Sequence, residues 1–438
     1  MNLRMCVAVL GLALSLATGV VGSAPKLAGP APATASVEAR AEAILRTAPV
    51  FDGHNDLAWK MQTRAHYDLG RIDLRQSQPE LMTDIGRLRA GHVGAQFWSV
   101  YVPARLAGRG AVTATLEQMD FVHQLVRRYP DTFELAATSQ DVERAFASGR
   151  IGSMMGVEGG HSIDSSLATL RTLYRLGGRY MTLTHSRNVP WADSATDEPK
   201  LGGLSKFGEA VVAEMNWLGM LVDLSHVSVE TMDDVLRVTQ APVIFSHSSA
   251  RAICDVPRNV PDDVLRLLPA NGGVVMVNFY AGFVSPACEE WNRRSRAQAD
   301  AARAQFAGDR SAQQAALERW ERANPPGATL DDVADHVDHI RRVAGIDHVG
   351  IGSDFDGIDG MAPEGLEDVS KYPALVAELL RRGYTDTEVK QVLGLNLLRV
   401  MRAAERVAQR LQAVRPASVA TLEQLDGPDS DPHHQPRP

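Results

Sequence analysis

The amino-acid sequence predicts an α/β fold, a closed (β/α)8 TIM-like barrel. Three observations lead there. Eight short apolar or β-branched runs recur along the chain, most of them bounded by Gly or Pro. Segments with apolar residues at helical spacing separate several of them, and strands alternating with helices form a parallel sheet covered by helices. No GxGxxG or GxxxxGKS/T motif opens a helix after a strand, so an open nucleotide-binding sheet has little support. In order, the first two strands are expected in PVFDGHNDL (49–57) and HVGAQFWSVYV (92–102), followed by a helix at 116–128. IGSMMGVEG (151–159) and RYMTLTH (179–185) come next, then a helix at 205–218 and the strand GMLVDLSH (219–226). PVIFSH (242–247) and GGVVMVNFY (272–280) are the sixth and seventh strands. Residues 288–327 are rich in Arg, Ala, Gln and Glu, and read as a helical insertion. A helix at 330–344 precedes the eighth strand, HVGIGSDFDG (348–357), and helical spacing returns over 386–408. No internal repeat is present.

The barrel domain is expected over residues 41–410 of the 438. Residues 1–24 carry one arginine, an apolar run and then small residues, the pattern of a secretory signal peptide. The run is short of the ~20 residues that a spanning helix needs. Residues 25–40 read as an Ala- and Pro-rich linker, and 411–438 as a polar, solvated tail without the hydrophobic segment of a GPI anchor signal. The protein is therefore expected to be exported, periplasmic or secreted, with a tether through an uncleaved N-terminus the less favoured reading. The composition, 45% hydrophobic and 22% charged, suits a large core. A net charge of −8 leaves no basic surplus for nucleic acid. Of three cysteines, Cys6 leaves with the signal. Cys254 and Cys288 remain, and in an oxidising compartment they are expected to pair, the alternative being two buried thiols.

Polar residues gather at one end of the strands. His54 and Asp56 end the first, Glu158 the third, His185 the fourth, His226 the fifth, His247 the sixth and Asp354 the eighth. In a parallel barrel all strand C-termini share the face that carries the active site. Burying seven ionisable groups together is costly, and a cation is the natural way to satisfy them. His54 and Asp56, two apart on a strand, point to the same side. His226 and His247 come from adjacent strands and could hold a second ion, with Glu158 bridging through its two oxygens. Nitrogen and carboxylate ligands without thiolate suit zinc first, then manganese, cobalt or iron. Other histidines read as structural. His336 and His339 are expected on a solvated helix face, His348 and His92 start strands at the wrong end, and His161 is a candidate for the layer behind the ligands. No nucleophile-elbow serine is present.

The runs FDGHNDLAW, GVEGGHSI, MTLTHSRNVPWADS, LVDLSHVS, VIFSHSSARAICDVPRNVPDD and GIGSDFDG, in this order from about residue 45 to 405, resemble the membrane (renal-type) dipeptidase family. Those proteins are zinc metallopeptidases with an amidohydrolase-like barrel. The resemblance implies a dipeptide substrate and two zinc ions per chain, with His54 and Asp56 on one, His226 and His247 on the other, and Glu158 bridging. It implies that His185 contacts the substrate and the developing oxyanion, and that Arg258 binds the substrate's free carboxylate. Asp354 is implied as the group that exchanges protons between the metal-bridging water and the leaving amine. Neither spacing nor periodicity points to Arg258; as a residue alone it reads as a surface arginine pairing with Asp262 or Asp263. A homodimer is compatible with the resemblance.

Three departures stand out. Animal members are glycolipid-anchored, and this tail carries no such signal. Arg187 stands where an animal member can carry a half-cystine, and the insertion at 288–327 is longer than the animal pattern. The insertion bears on side-chain preference, which leaves as alternative a metal-dependent amidohydrolase for another small amide, lactone or N-acyl amino acid. A non-catalytic binding protein is disfavoured because every expected ligand position is filled.

Overall fold

Eight parallel strands close a ring in the computed structural model, which describes residues 36–430 apart from 359 and 429. The segment expected as a signal, most of the linker and the last eight residues lie outside the described residues. The strands are β1 (Val50–Asn55), β2 (Val93–Tyr101), β3 (Phe133–Leu135), β4 (Ile151–Glu158), β5 (Gly178–Thr182), β6 (Leu221–Asp223), β7 (Ile244–Phe245), β8 (Val274–Val277) and β9 (Val349–Ile351). β1 pairs with β2, β2 with β4, and the ladder then runs through β5, β6, β7 and β8 to β9, which pairs back onto β1. All eight expected runs contribute a strand to the ring. The strand absent from the sequence reading is β3. It lies along the first residues of β4, Ile151–Ser153, and three residues are too few to show a period.

The barrel is filled. One buried cluster takes Phe51, Phe97, Met154, Tyr180, Leu221, Ile244 and Met276 from seven neighbouring strands. Helix Asn396–Val414 adds Leu397, Leu398, Val400 and Met401 to it. A packed interior of this kind leaves chemistry to the strand ends and the loops beyond them. The second, larger cluster joins the outer strand faces to the surrounding helices.

Several elements differ from expectation. The helical stretch over 386–408 is broken at 391–395, around Gly394. A Cβ there would meet the Phe51 Cβ at 2.7 Å and the Pro49 carbonyl at 2.9 Å, so glycine lets the turn approach β1. Helix Val37–Leu45 begins inside the stretch read as linker and buries Ala41, Ile44 and Leu45. The described part of the segment read as solvated tail is held on the barrel: Arg171 donates to the Ser418 carbonyl (2.8 Å), Glu214 accepts from Ser418 N (3.0 Å), and Ser205 Oγ donates to Asp426 (2.5 Å). Such docking rests on tertiary partners that local composition does not display. The stretch 288–327 is a pair of helices, Cys288–Gln305 and Arg310–Ala323, with the Trp291 and Trp320 rings 6.1 Å apart between them. Cys254 and Cys288 form a disulfide. Among the described residues no helix is long and apolar enough to cross a membrane.

Candidate metal centre

The strand ends converge on Glu158, the last residue of β4. One carboxylate oxygen, Oε2, lies 3.4 Å from His54 Nε2, which is in turn 3.4 Å from Asp56 Oδ2 and 4.0 Å from Asp354 Oδ1. The other, Oε1, lies 3.1 Å from His226 Nε2 and 3.5 Å from both His247 Nε2 and His185 Nε2. Glu158 thus stands between two groups of donors, one oxygen turned to each. The donor atoms form three overlapping sets, each within 4.8 Å: His54, Glu158 and His247; Glu158, His185 and His226; His54, Asp56 and Asp354.

These residues fit divalent metal on their own geometry. His54 Nε2 and Asp56 Oδ1 are buried without a hydrogen-bond partner, and such atoms are costly unless something positive or polar meets them. The His226 and His247 Nε2 atoms lie 2.9 Å apart, so two imidazole nitrogens from different strands converge beside Glu158. The donors are imidazole and carboxylate with no thiolate, a set that suits zinc and related ions.

Electrostatics point the same way. Burial opposes charge on Glu158, but His54, His226 and His185 hold its carboxyl well below the usual carboxylate range. Burial likewise opposes charge on His54, yet Tyr180, Glu158 and Asp56 raise it well above the ordinary imidazole value, so these neighbours call for a positive charge at that point. Burial, helped by Arg258 and adjacent imidazoles, holds His226 and His247 well below it, leaving neutral rings with lone pairs available. Burial pushes the Asp354 carboxyl up to about 8; His54 opposes this, and Asp56 and Glu158 add to it.

An outer layer orients the donors, and the sequence reading missed it. Tyr180 OH lies 2.8 Å from His54 Nδ1, which leaves Nε2 to face the centre. Ser246 Oγ bonds His247 Nδ1 (2.7 Å) and donates to the buried Asp223 (2.6 Å). Partners of this kind fix ring orientation and tautomer. Ser99 donates to Glu158 Oε2 (2.9 Å), and Asn278 Nδ2 to Asp354 Oδ2 (2.9 Å). A usable signal existed for Asn278: it follows β8 directly, at the same end as the other site residues, but it is not ionisable. His226 (φ 69°) and Asp354 (φ 67°) are left-handed, a strained backbone that tends to cluster at functional sites.

Arg258 is buried, with its guanidinium 3.3 Å from Ser248 Oγ and 3.3 Å from the His247 carbonyl. Neither Asp262 nor Asp263 pairs with it; Asp262 accepts from His339 (2.7 Å) and Asp263 from Arg266 (2.6 Å). The surface reading of this arginine is therefore corrected. So is the solvated face for His336 and His339. His336 is fully buried, accepting from Ala250 N (2.9 Å) and donating to the Val284 carbonyl (3.2 Å), and His339 is half-buried against Asp262. A helical period with alternating charges concealed a face turned inward. His161 bonds the Val102 carbonyl at 2.9 Å and belongs to none of the three donor sets.

The family model described as "Membrane dipeptidase (Peptidase family M19)" matches residues 38–415. The chain is 42% identical over 380 residues to "Dipeptidase verJ" of Clonostachys rogersoniana, covering 84% of this chain and 87% of that one. Among solved structures it is similar to the "probable dipeptidase PvdM from Pseudomonas aeruginosa", with TM-score 0.74 and 25% identity over 85% of this chain and 99% of that one. A second, the "dipeptidase AC, Metallo peptidase", matches with TM-score 0.67 and 26% identity over 82% and 99%.

Proposed function

This chain belongs to the membrane dipeptidase family, Peptidase family M19, and from that premise we propose that it is an exported dinuclear zinc dipeptidase. The observation that carries the proposal is Glu158, with one oxygen toward His54 and the other toward His226. His54 and Asp56 would hold one ion, His226 and His247 the other, with Glu158 shared. Zinc bound there would supply Lewis acidity and a hydroxide nucleophile near neutral pH.

The remaining work falls to side chains. Arg258, a planar donor fork, pairs with the dipeptide's terminal carboxylate and sets its distance from the scissile bond. His185 donates from Nε2 to the carbonyl oxygen as negative charge develops on it. Asp354 accepts the proton of the attacking water and returns it to the departing amine. Asn278 holds Asp354 Oδ2, leaving Oδ1 to face His54 and the reaction. Export rests on the N-terminal pattern and is supported by the disulfide, a bond of oxidising compartments.

The test is metal analysis joined to turnover of a panel of dipeptides, their amides and N-acyl amino acids. About two zinc ions per chain are expected, with dipeptide hydrolysis lost on chelation and restored by zinc. Full activity after exhaustive metal removal overturns the proposal. Faster turnover of N-acyl amino acids than of any dipeptide assigns the substrate elsewhere.

A further inference from the structure

Arg258 sits on the segment from Ser248 to Val260, between β7 and the short helix Asp262–Leu265. Its own bonds, two of 3.3 Å to neutral oxygens, are too long to hold a guanidinium plane in one attitude. The segment is held instead by its neighbour. Asn259 is fully buried, and both ends of its amide are bonded. Oδ1 accepts from Ser249 N (3.1 Å), while Nδ2 donates to the Cys254 carbonyl (2.9 Å) and to the Phe283 carbonyl (2.8 Å). Two of these bonds close the segment on itself. The third crosses to helix Ala281–Val284, which follows β8.

The same crossing is made twice more. The Cys254–Cys288 disulfide joins the segment covalently to the far side. The guanidinium of Arg258 lies over the Phe283 ring, 5.3 Å from its centre. Cys254, Val256 and Cys288 form a small apolar cluster of their own, with Phe283 packed against it. His247, just before the segment, is fixed separately through Ser246 Oγ on its ring and Ser225 Oγ on its backbone N–H (3.0 Å).

We infer that Asn259, the Cys254–Cys288 disulfide and the Phe283 ring are positioning elements for Arg258, which together set the enzyme's demand for a free terminal carboxylate. The inference rests on the proposed reading of Arg258 as the carboxylate anchor. None of the three elements touches reacting atoms. They act because a bidentate pair needs the fork coplanar with the carboxylate, and a shift of about 1 Å forfeits much of it. His247 has its own supports, so loosening residues 254–259 displaces the fork and leaves the donor cluster in place.

The experiment measures kcat and KM for a dipeptide and its C-terminal amide at equal zinc content. The proteins are wild type, Asn259→Asp, the double variant Cys254→Ala/Cys288→Ala, Phe283→Leu and Phe283→Tyr. Asn259→Asp keeps an acceptor for Ser249 N and loses both donated bonds. It and the double variant should raise the dipeptide KM about 10-fold, with kcat and the amide's kcat/KM held within about twofold. Phe283→Leu should raise the dipeptide KM several-fold, and Phe283→Tyr, which keeps the ring face, should restore it. If Asn259→Asp fails to fold, the double variant and the Phe283 pair decide. Equal losses on dipeptide and amide, or an unchanged KM throughout, overturn the inference. Wild type that hydrolyses the amide as well as the dipeptide is a separate failure, of the anchor reading itself, and takes the inference with it.

Discussion

Replacing Arg258 by methionine should make the protein more stable and a poorer dipeptidase. Arg258 is 5% exposed, and among the described residues its guanidinium bonds to two neutral oxygens. Burial pushes its pKa down to about 10, against partial support from Asp354, Glu158 and Asp223. At about 1.4 kcal/mol per pH unit, this depression corresponds to on the order of 3 kcal/mol of strain in holding the charge without substrate. Methionine has a similar reach and no charge, so the exchange should relieve a strain of about that order. With substrate bound the balance inverts, because the dipeptide carboxylate is left buried without its partner. That loss is about 2–5 kcal/mol, or roughly 30- to 5,000-fold in kcat/KM. The assay pairs urea unfolding with kcat/KM on a dipeptide and on its amide, both proteins carrying equal zinc. Arg258→Lys should also be impaired, since a point charge does not replace the fork. A methionine variant that is less stable and loses equally on both substrates would make Arg258 a structural residue and refute the reasoning.

Glu158→Gln should lose more bound metal than His226→Ala, because both donor groups share Glu158; elemental analysis showing equal retention would deny it the bridging place. Ser246→Ala breaks the chain from Asp223 to His247 and should weaken metal affinity by about 10- to 100-fold in chelator competition; unchanged affinity rejects that role. His336 should make stability fall with acid. Its ring is held neutral, and burial pushes its pKa down to about 4, against 6.5 in the unfolded chain. As pH drops, the unfolded chain takes up the proton first. The contribution is therefore complete above pH ~6.5 and drains away toward pH ~4, on the order of 3 kcal/mol. Urea unfolding across that window should show a shallower slope for His336→Gln than for wild type, and identical slopes would sink the argument.

The fold was legible because the runs in the ring are apolar or β-branched and most are bounded by Gly or Pro, and because polar residues collect at one end. The strand lengths were not. The run 242–247 yields only Ile244–Phe245 of β7, and 348–357 only Val349–Ile351 of β9. Residues such as Ser246 and Ser353 are compatible with a strand by propensity, but their backbone N–H groups go to carboxylates instead of a ladder. The docked tail and the inward face of His336 were illegible for a related reason. Each depends on a partner far away in sequence, Glu214 for Ser418 and Ala250 for His336. The donor cluster could be read because metal-binding side chains are chemically conspicuous. The burial of Arg258 beside the cluster was illegible from the residue alone, because nothing about an arginine in a loop distinguishes a buried guanidinium from a surface charge.

Two carboxylates in the layer behind the site show what makes the cluster possible. Asp52 on β1 accepts from both Ser353 N (2.8 Å) and Ser353 Oγ (2.7 Å). Asp223 on β6 accepts from both Ser246 N (2.8 Å) and Ser246 Oγ (2.6 Å). In each case the serine lies beyond the neighbouring strand, and the residue after it belongs to the site, Asp354 in one case and His247 in the other. The same device is used on two walls of the barrel. A buried aspartate takes the backbone N–H that would otherwise continue the ladder and lets the chain leave the sheet one residue before the functional side chain. That departure allows Asp354 its left-handed backbone and turns His247 toward Glu158. The devices differ in one respect: Ser246 Oγ also bonds the His247 ring, whereas Ser353 Oγ donates to Asp52 and lies 3.4 Å from the His54 carbonyl. The Asp223 side therefore sets both the position and the tautomer of a histidine of the donor cluster, and the Asp52 side sets position alone. Asp52 and Asp223 were visible in the sequence as charges inside VFDGHND and LVDLSH, two and three residues ahead of His54 and His226. A charge inside an apolar run, shortly before the histidine that closes the run, is the trace that such a layer leaves in a sequence.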